Sequence, residues 1–209
     1  NVFIGRAAGY FADAATNNVV IGNNAVDTTG ADDYKQNVII GADACGAGAL
    51  ANDADTEGTD NVVLGYQAGF NMTKGQKNVL IGTDAGKALT EGGSNIAIGK
   101  GALDAANGTG AGAENYNIAI GEEALGAETS GSENCVAIGN LALAAQNADV
   151  KNTAIGGLAG TALVSGTTNT LVGYQTYHEG NSSGNVAVGY NAMCRATGTR
   201  NVVVGAYAG

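Results

Sequence analysis

Asn61-Val62-Val63-Leu64-Gly65-Tyr66-Gln67-Ala68 joins three aliphatic residues to a glycine and, three positions on, an alanine. Three aliphatics in a row are too few for a helix to use twice, and β-branched residues favour a pleated backbone, so the run reads as a short β-strand ended by a turn. The same pattern recurs along the whole chain. Its glycines are Gly5, Gly22, Gly41, Gly65, Gly82, Gly99, Gly121, Gly139, Gly156, Gly173, Gly189 and Gly205, at spacings of 17, 19, 24, 17, 17, 22, 18, 17, 17, 16 and 16 residues. The residue three after the glycine is Ala in eleven repeats and Thr176 in the other. The residue four before it is Asn in every repeat but one, where Cys135 takes the place and Asn134 precedes it. Self-similarity at so short a period is the signature of a solenoid.

Successive strand residues point to opposite faces, so Val62 and Leu64 share one side and Val63 takes the other. That second face carries Phe3, Val20, Ile39, Val63 and Leu80 in the first five repeats and mostly Ala afterwards. Both faces are apolar, and one thin coil covers only its inner side. The large residues Phe3, Val20, Ile39, Val63 and Leu80 are therefore expected to form an oligomer face, buried between chains. The repeat glycine supplies a positive φ and lets the next coil approach closely, while Ala three residues later leaves room for only a thin core. Turns such as Gly58-Thr59-Asp60-Asn61 and Gly166-Thr167-Thr168-Asn169 precede the strands. With coils stacked about 4.8 Å apart, equivalent Asn side chains would lie one above another as a hydrogen-bonded ladder. The expectation is an all-β rod of about twelve coils, on the order of 55 to 60 Å long.

Composition agrees with thin layers. The 209 residues include 35 Gly, no Pro and no Trp, and the 44% that are hydrophobic are mostly Ala, Val and Ile. Nine Lys and Arg against nineteen Asp and Glu give a formal charge of −10, with no basic patch to neutralise phosphates or anionic lipid, so nucleic acid is not an expected partner. No apolar run approaches the roughly 20 residues of a membrane helix, so membrane insertion by this segment is not expected. Asn1 to Gly5 and Asn201 to Gly209 both fall inside repeats. Because an open solenoid end leaves backbone groups unpaired, the chain reads as one repeat domain, cut from a longer fibre and continued by further coils or a coiled coil. Cys45, Cys135 and Cys194 are odd in number and stand at different places in their repeats, so they read as small hydrophobes rather than a disulfide framework or zinc site.

Asn18-Val19-Val20-Ile21-Gly22, Asn95-Ile96-Ala97-Ile98-Gly99 and Asn185-Val186-Ala187-Val188-Gly189 resemble the head-domain repeats of trimeric autotransporter adhesins and, equally, repeats of bacteriophage tail-fibre proteins. The likeness runs through all twelve repeats. It implies a left-handed parallel β-roll, three copies of which pack about a common axis as a homotrimer, with the neighbouring subunits covering the second apolar face. It also implies an extracellular setting, on a virion fibre or a cell-surface appendage. The adhesin repeat is usually shorter and commonly has Ser where this chain has Ala; Tyr66-Gln67-Ala68-Gly69 leans toward the phage versions. A second solenoid, the left-handed β-helix of acyltransferases, is matched at a single hexapeptide repeat, by Ile21-Gly22-Asn23-Asn24-Ala25. Asp27, Ala47 and Asn71 then stand where that fold needs its next aliphatic.

Motifs for catalysis or cofactor binding are absent, so neither an enzyme nor a cofactor is expected. His178, in Tyr177-His178-Glu179-Gly180, reads as a solvated turn residue. Asp53, Asp55, Glu57 and Asp60 resemble the opening of a calcium loop, with Leu64 where the closing carboxylate belongs. Asp32 and Asp33 make a second acidic spot, and Asn71, Asn107 and Asn181 head glycosylation sequons. Tyr66, Tyr174 and Tyr190 directly follow the repeat glycine, a position otherwise filled by residues such as Arg6, Lys100 and Glu122 and hence exposed. Tyr174 and Tyr190, from adjacent coils, are expected to stack, as a sugar-binding surface or as a ladder shielding the edge of the roll. The coils that start at Gly22, Gly41 and Gly99 are the longest, and their surplus, Val26 to Gln36, Cys45 to Asp60 and Leu103 to Tyr116, is expected to project as loops from one side. Tyr66, Tyr174, Tyr190, Asp32, Asp33 and Asn107 are thus the candidate recognition surface. The functional expectation is a non-enzymatic structural or adhesive fibre segment that presents loops to a host-surface glycan or protein. A purely structural spacer or self-assembling extracellular filament is the alternative, and a solenoid acyltransferase the third choice.

Overall fold

The computed structural model describes residues 1–10, 12, 14–27, 34–47, 50, 58–105, 115–127, 132–147, 150–195 and 197–209. Each aliphatic run is a three-residue strand: β1 (Val2–Ile4), β2 (Val19–Ile21), β3 (Val38–Ile40), β4 (Val62–Leu64), β5 (Val79–Ile81), β6 (Ile96–Ile98), β7 (Ile118–Ile120), β8 (Val136–Ile138), β9 (Thr153–Ile155), β10 (Thr170–Val172), β11 (Val186–Val188) and β12 (Val202–Val204). All twelve lie in one parallel sheet in chain order. The chain is an all-β parallel solenoid, with no helix among the described residues. Register is residue for residue, as in Val62 with Val79, Val63 with Leu80 and Leu64 with Ile81. Every repeat position therefore forms a column along the rod, and differences in coil length are absorbed between strands.

The glycine column explains the tight stack. Gly99 has φ +136, and a Cβ built on it would lie 2.5 Å from the carbonyl oxygen of Gly121 in the next coil. Opposite the sheet, the wall is made of turns whose amides still bond to the adjacent coil, as in Gly86 N to Ala102 O at 2.9 Å and Gly101 N to Thr83 O at 3.0 Å. Those turns need left-handed residues, including Gln67 at φ 53 and Leu125 at φ 52. Such geometry disfavours an L-residue by about 1–2 kcal/mol, so the stack must hold it in place.

The motif Asn residues form the expected ladder. Asn61 Oδ1 accepts from the Asn78 backbone N at 3.0 Å and from Asn78 Nδ2 at 3.2 Å, and Asn61 Nδ2 donates to Gly75 O at 2.8 Å. Each buried amide thus ties its own coil to a neighbour on either side, which satisfies polar groups that would be costly to bury alone. Where Cys135 interrupts the ladder, Gln146 replaces the rung. Its Nε2 donates to Ser132 Oγ at 2.9 Å and reaches Cys135 Sγ at 3.2 Å, while its Oε1 accepts from Asn152 Nδ2 at 3.0 Å.

The strand centres point inward, which corrects the expected oligomer face. Val20, Ile39, Val63 and Leu80 are fully buried inside a single chain, in one column with Ala97, Ala119, Ala137, Ala154, Leu171 and Ala187. Phe3 heads the same column and is 39% exposed, because β1 has a neighbour on one side only. The thin core holds these large residues by compensating size across the coil. Beside Phe3, Val63 and Leu80, the residue four after the repeat glycine is Gly9, Gly69 or Gly86; beside Ala97, Ala119, Ala137 and Ala187 it is Leu103, Leu125, Leu143 or Met193. A Cβ on Gly86 would come within 2.9 Å of Leu80 Cδ2. Two adjacent coils balance each other instead: Ala154 is matched with Gly160, Leu171 with Tyr177, and a Cβ on Gly160 would lie 2.9 Å from Leu171 Cδ1.

Candidate functional site

The first and third residues of each strand point away from the core as two parallel columns. Every one is Val, Ile or Leu except Thr153 and Thr170. Between β2 and β11 they are covered only in part, mostly half-buried, with Val38 37% and Ile155 39% exposed in mid-sheet. With strands about 4.8 Å apart and residues about 3.3 Å apart, twelve strands make a stripe of about 550 Å² in projection. That matches the largest apolar patches found on monomeric proteins, which are often functional. It also carries no charged side chain. The second apolar face anticipated from sequence therefore exists, but it belongs to residues such as Val62, Leu64, Ile98 and Ile120 rather than to the strand centres.

Beside the stripe, the residues after the repeat glycines form an edge that is polar or aromatic except at Ala42, Gly157 and Ala206. Tyr66, Tyr174 and Tyr190 are exposed there. The Tyr174 and Tyr190 rings stack with centroids 5.7 Å apart and planes 15° apart, and Tyr207 meets Tyr190 edge-on at 5.2 Å. Hydrogen bonding with Tyr190 and the nearness of its hydroxyl push the Tyr207 phenol above its ordinary value. The other side of Tyr174 lies over Gly157, whose added Cβ would be 3.3 Å from the ring. Tyr174 and Tyr190 thus direct their faces along the column and leave mainly ring edges for solvent, which suits a shielding ladder better than an open sugar platform. Tyr66 is six coils away from Tyr174 and separate from this column.

Asp32, Asp33, Asp53, Asp55, Glu57 and Asn107 lie outside the described residues, as does most of each long loop. Asp60 is exposed and accepts a hydrogen bond from Thr59 Oγ1 at 3.3 Å. On the turn edge before the strands, Lys74, Gln76, Lys77, Ser94 and Tyr116 line part of an open notch of about 310 Å³. Asp104 shares an acidic edge with Glu123, and burial followed by the Glu123 charge raises its carboxyl above the ordinary range. Cys45 and Cys135 are buried, as the sequence suggested, and burial pushes the Cys45 thiol well up. Cys194 is only half-buried and stands beside His178, itself half-buried. That pairing was missed. The signal was available, because both residues stand five after their repeat glycines in adjacent coils and direct register stacks them. No family model, curated protein or solved structure matches the chain.

Proposed function

We propose that the chain is a non-enzymatic segment of an extended extracellular fibre that associates with copies of itself, as a homotrimer, through the outer columns of its sheet. The observation that carries this reading is the stripe of Val, Ile and Leu, broken only by Thr153 and Thr170, on the face that the coil covers only in part. A parallel sheet with two apolar faces belongs between two layers, and the chain supplies one of them. A second copy offers a partner of the same length, spacing and chemistry, and cyclic symmetry lets equivalent stripes meet about one axis. The likeness of the repeats to those of trimeric adhesins and phage tail fibres supports three as the number, with the tyrosine edge and the long loops turned outward for attachment. In a purely structural spacer the same assembly would form and recognition would reside elsewhere.

The test is the mass in solution. Light scattering is expected to give three times the 20.5 kDa of the chain. Ile98→Asp combined with Ile120→Asp, which would bury two charges in the interface, is expected to yield monomer with unchanged far-UV circular dichroism. A stable, soluble wild-type monomer would refute the assembly. Attachment is read separately, by binding of the assembled rod to a glycan array and to cells; failure to bind either favours the spacer.

A further inference from the structure

A second group of side chains, away from the apolar stripe, has donors placed to share one ion. Direct register sets His178 against Cys194, each five residues after its glycine, and Glu179 against Arg195, each six after. The backbone locks this arrangement, with Tyr177 N bonded to Ala192 O at 3.0 Å and Glu179 N to Cys194 O at 2.9 Å. One ligand atom each from His178, Glu179 and Cys194 lie within 4.8 Å of one another. The turn that presents them is stiff. Tyr177 is fully buried, and its hydroxyl accepts from Ser182 N at 2.8 Å and lies 2.7 Å from Ser182 Oγ.

We propose that His178, Glu179 and Cys194 form a binding site for a divalent transition-metal ion of the zinc type, with solvent in the fourth position. Calcium and magnesium select all-oxygen sites, whereas an imidazole, a carboxylate and a thiolate together suit tetrahedral zinc. Neighbouring ligand atoms around such an ion are about 3.3–3.8 Å apart, so modest side-chain rotations close the site. Arg195 now holds Glu179, with Nε 2.9 Å from Oε2 and Nη2 3.4 Å from Oε1. Both side chains are well exposed, which makes that ion pair a weak competitor. The formal charge of −10 favours cation approach over the whole molecule. Nothing in this site depends on the fibre reading.

Cobalt(II) added to the intact, reduced chain is the direct probe, because a thiolate ligand produces a near-ultraviolet charge-transfer band and tetrahedral cobalt gives strong visible bands. One equivalent per chain is expected, displaced by zinc(II). Cys45 and Cys135 are buried, so the thiolate band reports Cys194 alone. Cys194→Ser is expected to abolish that band, and His178→Ala and Glu179→Gln to weaken binding at least tenfold. Zinc should also raise the melting temperature of the wild type and leave that of Cys194→Ser unchanged. Absence of the thiolate band in the wild type, or equal cobalt affinity in Cys194→Ser, overturns the proposal.

Discussion

In the seventh coil, Ala119 at the centre of β7 and Leu125 are both fully buried. Exchanging them as Ala119→Leu with Leu125→Gly reproduces the arrangement that Leu80 and Gly86 have in the fifth coil. Leu125→Gly alone empties a buried side chain, and comparable truncations cost about 2–5 kcal/mol. Part of that is offset because Leu125 has φ 52, where glycine is favoured by about 1–2 kcal/mol. A net loss of about 2–3 kcal/mol remains. Ala119→Leu alone forces a side chain into the space that Leu125 fills, at about 1–3 kcal/mol. Independent sites would make the double variant lose about 4–5 kcal/mol. If the two residues share one volume, the double variant conserves it and loses about 1 kcal/mol, leaving a coupling of about 3–4 kcal/mol. Urea denaturation followed by circular dichroism reads this directly, since the chain has no Trp; all four proteins are compared at one concentration and in one assembly state. A double variant whose loss equals the sum of the singles within about 0.5 kcal/mol would refute size compensation as the rule of this core.

Two further perturbations test other columns. Gln146→Leu removes the substitute rung and leaves Ser132 and Cys135 without its amide, with an expected loss of about 2–4 kcal/mol of unfolding free energy measured by urea denaturation; adding Cys135→Asn should recover most of it by restoring the ordinary ladder. Burial and the Glu123 charge raise the Asp104 carboxyl above its ordinary 3.8, so the folded state holds that proton more tightly than the unfolded chain. The stability contributed by this group is fully present below 3.8 and is lost as pH rises through the raised folded value. Asp104→Asn should therefore raise the melting temperature at pH 7, with the gain disappearing at about pH 3.5; no gain at neutral pH would contradict it.

The strands, their parallel order, the glycine column and the Asn ladder were legible because each follows from one row of the motif. Reading along rows also explains the error about the faces. Both strand faces are apolar and a thin coil covers one of them, which puts Val63 and Leu80 on the uncovered face when rows are read alone. Yet the space they need inside is left by Gly69 and Gly86. Only a comparison down columns exposes that trade, since Ala97 with Leu103 reverses it in the very next coil. The Cys135 rung was less accessible: its substitute, Gln146, lies eleven residues downstream at a position with no motif identity. His178 and Cys194 were dismissed singly because neither means much in its own repeat, and their meaning arises from stacking.

The two kinds of strand position differ in a way that bears on what covers the outer face. The inner column ranges from Ala to Phe, and most changes between small and large are compensated, across the coil as at Leu80 with Gly86 or between adjacent coils as at Ala154 and Leu171, as packing in a closed core requires. The outer columns have no partner within the chain, so intrachain packing places no comparable demand on them, and solvent would accept polar residues on a strand exposed on one side. They are nevertheless Val, Ile or Leu almost throughout, and their departures, Thr153 and Thr170, are register neighbours that keep the β-branched shape. Strand propensity alone does not account for this, because Thr and Tyr would serve as well at an exposed position. A stripe of constant width and chemistry along twelve strands matches a partner that is equally regular along its length, and a copy of the same sheet has that regularity.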